Sequence, residues 1–405
     1  MKNKWRNLWL ALLCLAVFVG GGVVFYQHWV QQRVFGIVLF LVPQLDSSTL
    51  SSARFYAGGA NHRLHLEQMP GVFFLRGSSH SHAAPDEAAA ASAIATGHAV
   101  NNGTLAVLPD GVTPLNLLQL ARQNGRAIGL VTNGRIANPA LGAFYAPGEN
   151  AENFEQLLAT LLETTRPEVV LGGGLHDFTP DLHGGRRQDG RDLLLQARQS
   201  GYDIVRNQAE LLNTPTWRAP RVLGVFHEDA LTFAGTFDAA TGEPDLSTMV
   251  SSAIRLLQFQ NRGFFLIVDC RQLARAAAFS QGEQLLREFL EVDRAIQTAS
   301  LYAGENSLVV VAGTVSLGGF RLNGHALRED HGMALLSPSS DGVPGSTWST
   351  GPGRTNPPEP SAIPEANALP IITDLLGFWQ GPPRATAPPL WLKQTDVFSL
   401  LEQEM

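Results

Sequence analysis

Cysteine is nearly absent from this 405-residue chain, which holds only Cys14 and Cys270. If the first of these lies in a membrane segment, the rest has a single thiol and no intrachain disulfide, so the fold must stand on its core. Charge is also sparse, at 16% of residues, and the net charge of −7 is spread without a basic stripe. That excludes nucleic acid as a partner on electrostatic grounds. Apolar residues make up 44%, as in a globular chain with a sizeable core. No internal repeat is visible.

What the N-terminus lacks is charge after its first turn. Lys2, Lys4 and Arg6 precede "LWLALLCLAVFVGGGVVFY", a run of about 19 residues, close to the length that crosses a bilayer. We expect residues 1–7 to be cytoplasmic, 8–26 to be an uncleaved signal anchor, and 27–35 a tether. A cleaved signal peptide is the alternative, but bulky residues (Phe25, Tyr26, Trp29) follow the run where a cleavage site needs small ones. Positive charges before the span place the body, 36–405, outside the cytoplasm, in a periplasmic or extracellular space.

In that body, short apolar runs recur: "GIVLFLV" from Gly36, "RAIGLVT" from Arg126, "PEVVLGGG" from Pro167, "RVLGVF" from Arg221, "GFFLIVD" from Gly263 and "SLVVVAG" from Ser307. Their length suits buried parallel strands. Helical patterns lie between them, such as "TPLNLLQLARQNG" with Thr113 as cap and Gly125 as stop. The alternation predicts an α/β fold, a doubly wound, mostly parallel sheet with helices on both faces. Chemistry in such folds sits just past the carboxyl ends of the strands. Residues 337–370 are rich in Pro, Ser and Gly and lack periodicity, which reads as a long loop or insertion.

Those strand ends carry a resemblance. "GIVLFLVPQLDSSTLSSARFYAGG", "PDEAAAASAIATGHAVNNG", "RAIGLVTNGRIANPALGAFYA", "VVLGGGLHDF", "GRDLLLQARQSGYDIV", "GFFLIVD", "SLVVVAGTVSLGG" and "TDVFSLL" resemble, in order, the segments of alkaline phosphatases. The resemblance implies that family's fold and phosphomonoester hydrolysis by a serine nucleophile, two zinc ions, usually a magnesium, and a phosphate-clamping arginine. Many relatives dimerise, which leaves a homodimer open.

The family's functional positions are changed here. Where it has Gly-Asp-Gly-Met-Gly, this chain has Val-Pro-Gln-Leu-Asp, with Pro43 at the metal-bridging aspartate. Asp-Ser-Ala becomes Asp86-Glu87-Ala88, with Glu87 at the nucleophile. Asn138 in "IANP" stands near a hydroxyl ligand, and no arginine between Arg135 and Arg166 can inherit the clamp. Val-Glu-Gly-Gly-Arg-Ile-Asp-His-Ala-Gly-His becomes "VDCRQLARAAA". There Asp269 keeps an acid, while Ala274 and Ala278 replace an aspartate and a histidine. Thr314 and Val315 fall at two zinc ligands, and Arg354 at the last histidine.

From these changes we expect no intact catalytic residue and no metal or other cofactor. The protein is then a membrane-anchored pseudoenzyme that binds or scaffolds an unidentified protein partner. The alternative is an active metal-dependent phosphomonoesterase rebuilt around His80, His82, Asp86, Glu87 and Asp269. Asp86 is expected to cap its helix. Glu87, at the helix's positive end, is expected to pair with Arg354 or Arg275. His325 and His331 lie in an irregular segment without metal-binding helical spacing, and Gly172–Gly174 read as a turn. Ser47, Ser48 and Ser92 have no recognisable His–Asp company.

Overall fold

The computed structural model describes residues 2–405 except 26–33, 237–241, 261, 325–326, 339–341, 355–366 and 384. Lys2–Phe25 is one helix, and its described side chains, Trp5 and those of 9–22, are exposed. Among the described residues no helix is long and apolar enough to cross a membrane. The transmembrane helix expected over 8–26 is therefore not found as such. Both ends of that run pass beyond the described side chains, and the expected tether lies outside the described residues as far as Val34.

From Gly36 onward the chain builds a ten-stranded sheet in the order β12-β2-β11-β8-β1-β7-β3-β4-β6-β5. The strands are β1 Gly36–Val42, β2 Gly71–Arg76, β3 Ala127–Arg135, β4 Val169–Gly173, β5 Tyr202–Val205, β6 Arg221–Val225, β7 Phe264–Asp269 and β8 Ser307–Gly313. A small pair, β9 Arg321–Leu322 and β10 Ser346–Thr347, stands apart, and β11 Leu375–Gln380 and β12 Trp391–Lys393 return to the large sheet. Only β11 runs against its neighbours, β8 and β2, so the sheet is mixed and mostly parallel.

Both faces are covered, which explains why the central strands are apolar at every position. In β1, Ile37, Leu39 and Leu41 join one core with Ala91, Ile94, Leu141 and Phe144. Val38, Phe40 and Val42 point the other way, into a core with Met249, Ile254, Leu285 and Phe289. Helices Glu87–Thr96, Leu117–Gln123, Pro139–Tyr145 and Asp396–Glu402 thus cover one face. Ser47–Gly58, Leu246–Leu257 and Gly282–Tyr302 cover the other.

Much of the expected loop 337–370 (339–341 and 355–366) lies outside the described residues, but its described part carries β10. That strand pairs with β9, which lies before the stretch, and Trp348 is buried against Phe320, with ring centroids 4.9 Å apart.

Candidate functional site

Residues just past the ends of β3 and β7 line one crevice with Glu87, at the start of helix Glu87–Thr96. That helix begins where Asp86, in an extended conformation, accepts a hydrogen bond from the Ala89 amide at 2.8 Å. The second carboxylate oxygen of Asp86 accepts from the Gly103 amide at 2.6 Å. Asp86 is therefore a cap, as its local sequence predicts, and it also fastens the loop that follows the helix. Every residue from Ala88 to Thr96 is buried. Small side chains let this helix lie close to Pro139–Tyr145, where larger ones would hold it off.

Glu87 takes the first helical position and forms an ion pair with Arg271. The expected partners, Arg275 and Arg354, are not the ones used. Arg275 donates to Gln272 Oε1 at 3.3 Å and sits 4.9 Å from the centre of the Phe233 ring. Arg354 belongs to the Trp348 loop, where its amide donates to Gly351 O at 3.2 Å. Arg271 starts the helix that follows β7, and its stem crosses Gly134. A Cβ at Gly134 would fall 2.6 Å from Arg271 Cγ, so this glycine makes room for the arginine's stem. The pair is largely shielded, with side chains 15% and 29% exposed. Burial lowers the Arg271 pKa to about 10, and Glu87 Oε1 has no hydrogen-bond partner.

Behind this pair, Asp269 is buried at the end of β7. Its Oδ2 accepts from Thr132 Oγ1 at 2.9 Å and from Asn138 Nδ2 at 3.0 Å, while Oδ1 has no partner. Burial pushes its pKa up to about 7, against the pull of those two bonds. Asn138 also caps Pro139–Tyr145 by accepting from the Leu141 amide. The position assigned to a hydroxyl ligand is thus a structural bracket between a helix start and a buried acid.

The other changed positions lie in a seam between β1 and β8. Pro43, Thr314 and Val315 are buried there. Gln44, just past Pro43, adopts φ 61°, a conformation that ordinarily favours glycine. Its side chain repays the strain: Nε2 donates to Leu317 O at 2.7 Å, and Oε1 accepts from the Leu317 amide at 2.5 Å. Asp46 Oδ2 accepts from Ser316 Oγ at 2.8 Å, and Gln394 Nε2 donates to Thr314 O at 2.6 Å. Amide and carboxylate side chains therefore close this end of the sheet by bonding to backbone and hydroxyl groups.

In front of Glu87 lies a crevice of about 300 Å³, lined among others by Arg135, Arg271, Arg275, Ala274, Ala278 and Asn138. Arg135 is committed to Asp177 through two hydrogen bonds of 2.6 and 2.5 Å. The structure thus brings together Glu87, Asn138, Ala274 and Ala278, with Asp269 behind them. Exposed His80 and His82 are engaged elsewhere: the His80 amide donates to Val100 O, and His82 Nδ1 bonds Ser81 Oγ. His325 lies outside the described residues.

Sequence reasoning missed Arg271, Gln44 and Gln394. The first two had a signal, since each occupies a glycine position of the quoted family motifs. Gln394 had none.

The residues present do not fit a zinc pair. Pro43, Ala274, Ala278 and Val315 offer no side-chain donor, and Asp269 Oδ1 is one orphaned acceptor. Among the described residues no group of three or more His, Cys, Asp or Glu side chains could hold a metal ion.

Comparison with known proteins gives the context. The chain is 28% identical over 385 residues to the tissue-nonspecific alkaline phosphatase isozyme of Gallus gallus, covering 81% of this chain and 73% of that one. It is 28% identical over 324 residues to the membrane-bound alkaline phosphatase of Bombyx mori, covering 68% and 59% respectively. The fold matches a TAB5 alkaline phosphatase mutant with Mg bound in the M3 site. That match has TM-score 0.73 and 20% identity, and covers 92% and 99% of the two chains.

These matches correct the expectation that the protein takes no cofactor. One of the structures that share its fold, the TAB5 alkaline phosphatase mutant, has Mg bound. The misfit of individual ligand positions is a statement about those residues and not about the whole chain. The alkaline phosphatase family model matches residues 36–335, and the chain belongs to the alkaline phosphatase family.

Proposed function

We propose that this protein is a membrane-tethered family member that binds or scaffolds and does not hydrolyse phosphomonoesters. The observation that carries this reading is Glu87, at the nucleophile position, paired with Arg271. Attack on a phosphate ester needs an oxygen that can be deprotonated and delivered to phosphorus. Here the first turn of the helix presents a carboxylate already engaged by a guanidinium. That carboxylate supplies the negative charge which the helix end and Arg271 favour. An incoming phosphate would have to displace it.

The tether is the apolar run behind Lys2, Lys4 and Arg6, with the N-terminus in the cytoplasm and the body exported. The Bombyx mori relative, named as membrane-bound, supports attachment to a membrane.

The test is turnover of a chromogenic phosphate monoester by the purified full chain with zinc and magnesium supplied. The expected result is no hydrolysis above a Glu87→Ala control. Wild-type turnover that disappears in Glu87→Ala would establish the rebuilt metal-dependent hydrolase instead.

A further inference from the structure

We propose that the end of the sheet opposite the crevice is a lipid-contacting face, seated on the headgroups of the membrane to which the chain is tethered. This rests on the tether proposed above and adds an orientation to it.

Every strand of the large sheet except β11 points the same way, so the loops that precede these strands share one end of the molecule. The loops and helix ends at that side display large apolar side chains to solvent. Leu301 and Tyr302, before β8, are 72% and 60% exposed, Phe259, before β7, 55%, and Trp217, before β6, 81%. From β8 to β6 is five strand spacings, about 24 Å. The apolar groups therefore form a row along the end of the sheet and not one isolated spot. Guanidiniums alternate with them. Arg218 lies 5.9 Å from the centre of the Trp217 ring, Arg262 packs on Gly125, and Arg166 reaches across to Ser200 O. Acidic groups on the same end include Glu168, paired with Arg122, Asp203, paired with Arg218, the exposed Glu305, and the C-terminal Glu402 and Glu404, the last held beside Val34 and Phe35 through Arg126.

Aromatic rings interleaved with arginine are the composition of a bilayer interface, where rings lie among headgroups and guanidiniums reach phosphate. Isolated exposed apolar residues are ordinary. A row of them at one end calls for an occupant.

Chain geometry names the occupant. The body is entered at Phe35, in the middle of this end. The Phe35 amide donates to Asn306 O at 2.8 Å, its carbonyl accepts from the Phe264 amide at 3.0 Å, and its ring meets Phe264 edge-on. Only residues 26–33 separate helix Lys2–Phe25 from Val34, a reach of at most about 30 Å even when fully extended. A bilayer holding that helix therefore lies within one short tether of this end. The crevice before Glu87, at the carboxyl ends of the strands, opens away from the lipid.

The experiment uses the full chain with a protease site placed within 27–33, reconstituted into vesicles of phosphatidylcholine with one-third phosphatidylglycerol. Flotation of the uncut chain after an alkaline wash reports the tether. Flotation after cutting, at low and high salt, reports the face. The cut wild-type body is expected to stay with the vesicles at low salt and to leave at high salt. The Trp217→Ser/Phe259→Ser/Leu301→Ser variant, whose changes are all at exposed sites, is expected to melt normally and partition at least about tenfold less. An uncut chain that floats, with wild-type and variant bodies released equally, overturns the lipid face and leaves the tether standing. An uncut chain that washes off overturns the tether, and body retention then decides the face alone. A body that leaves as a dimer closed by these same residues overturns the lipid reading in favour of a second copy.

Discussion

The carboxylates of Asp86 and Glu87 are neighbours in sequence and have unrelated jobs. Asp86 satisfies amides three residues ahead and in the next loop, whereas Glu87 meets an arginine contributed by the far side of the sheet. A shielded ion pair is costly to break one partner at a time, because the group left behind keeps its desolvation penalty. We expect Glu87→Ala to destabilise by about 1–3 kcal/mol. It should cost more than Arg271→Ala, since it strands a guanidinium beside Arg135 and Arg275, whereas Glu87 alone still enjoys the helix end. The double variant should recover about 1 kcal/mol or more relative to the sum of the singles. Denaturant unfolding of the four proteins measures this, and additivity within about 0.3 kcal/mol would mean the pair is uncoupled. The cap was legible in the sequence because its partners lie close by. The ion partner was not: Arg275 and Arg354 were the expected candidates, and the strand order brings Arg271 instead.

Among the elements, helix Glu87–Thr96 most clearly ties composition to geometry. Its alanines are there for proximity and not for amphipathicity, since it is buried all round. Ala91 is fully buried, and a leucine there must push the helix from its neighbours. We expect Ala91→Leu to cost about 1–3 kcal/mol, while Ala83→Leu in the exposed loop before it stays within about 0.5 kcal/mol. Thermal melts of the two variants distinguish a packed element from a merely helix-prone one. The stretch 337–370 teaches the opposite lesson. Its Pro, Ser and Gly content reads as a loop, but among its described residues Trp348 packs on Phe320 and β10 pairs with β9. Contacts made by single side chains leave no period in a sequence.

For the whole molecule, the notable electrostatic feature is buried acid. Glu288 lines a cleft of about 780 Å³ on the second face, accepts hydrogen bonds from the Ala234 amide and Asn133 Nδ2, and is pushed up to about 8 by burial. Burial also raises Glu291, Asp46, Asp177 and Asp293. An acid whose folded pKa lies above its unfolded value is more protonated in the fold, so folding takes up protons. For Glu288 that contribution is complete below about pH 4.5 and is lost as pH rises toward 8, at up to about 1.4 kcal/mol per pH unit. Stability should therefore fall from pH 5 to pH 8, and Glu288→Gln should flatten the slope. Urea unfolding across that range checks both, and a wild-type stability that rises with pH would refute the assignment.

By itself the sequence determined six of the strands (β1, β3, β4, β6, β7 and β8), the Asp86 cap, the α/β class with both sheet faces covered, and the absence of side-chain ligand atoms at Pro43, Ala274, Ala278 and Val315. These follow from side-chain chemistry or from bonds spanning a few residues. The helix expected to start from Thr113 is capped by Asn116 instead. Tertiary structure alone decided that Arg271 meets Glu87, that Gln44 and Gln394 close the ends of β1 and β8, and that β11 enters the sheet reversed. Each depends on which strands become neighbours. Strand order is settled by the packing of two cores at once, and no local pattern carries that information.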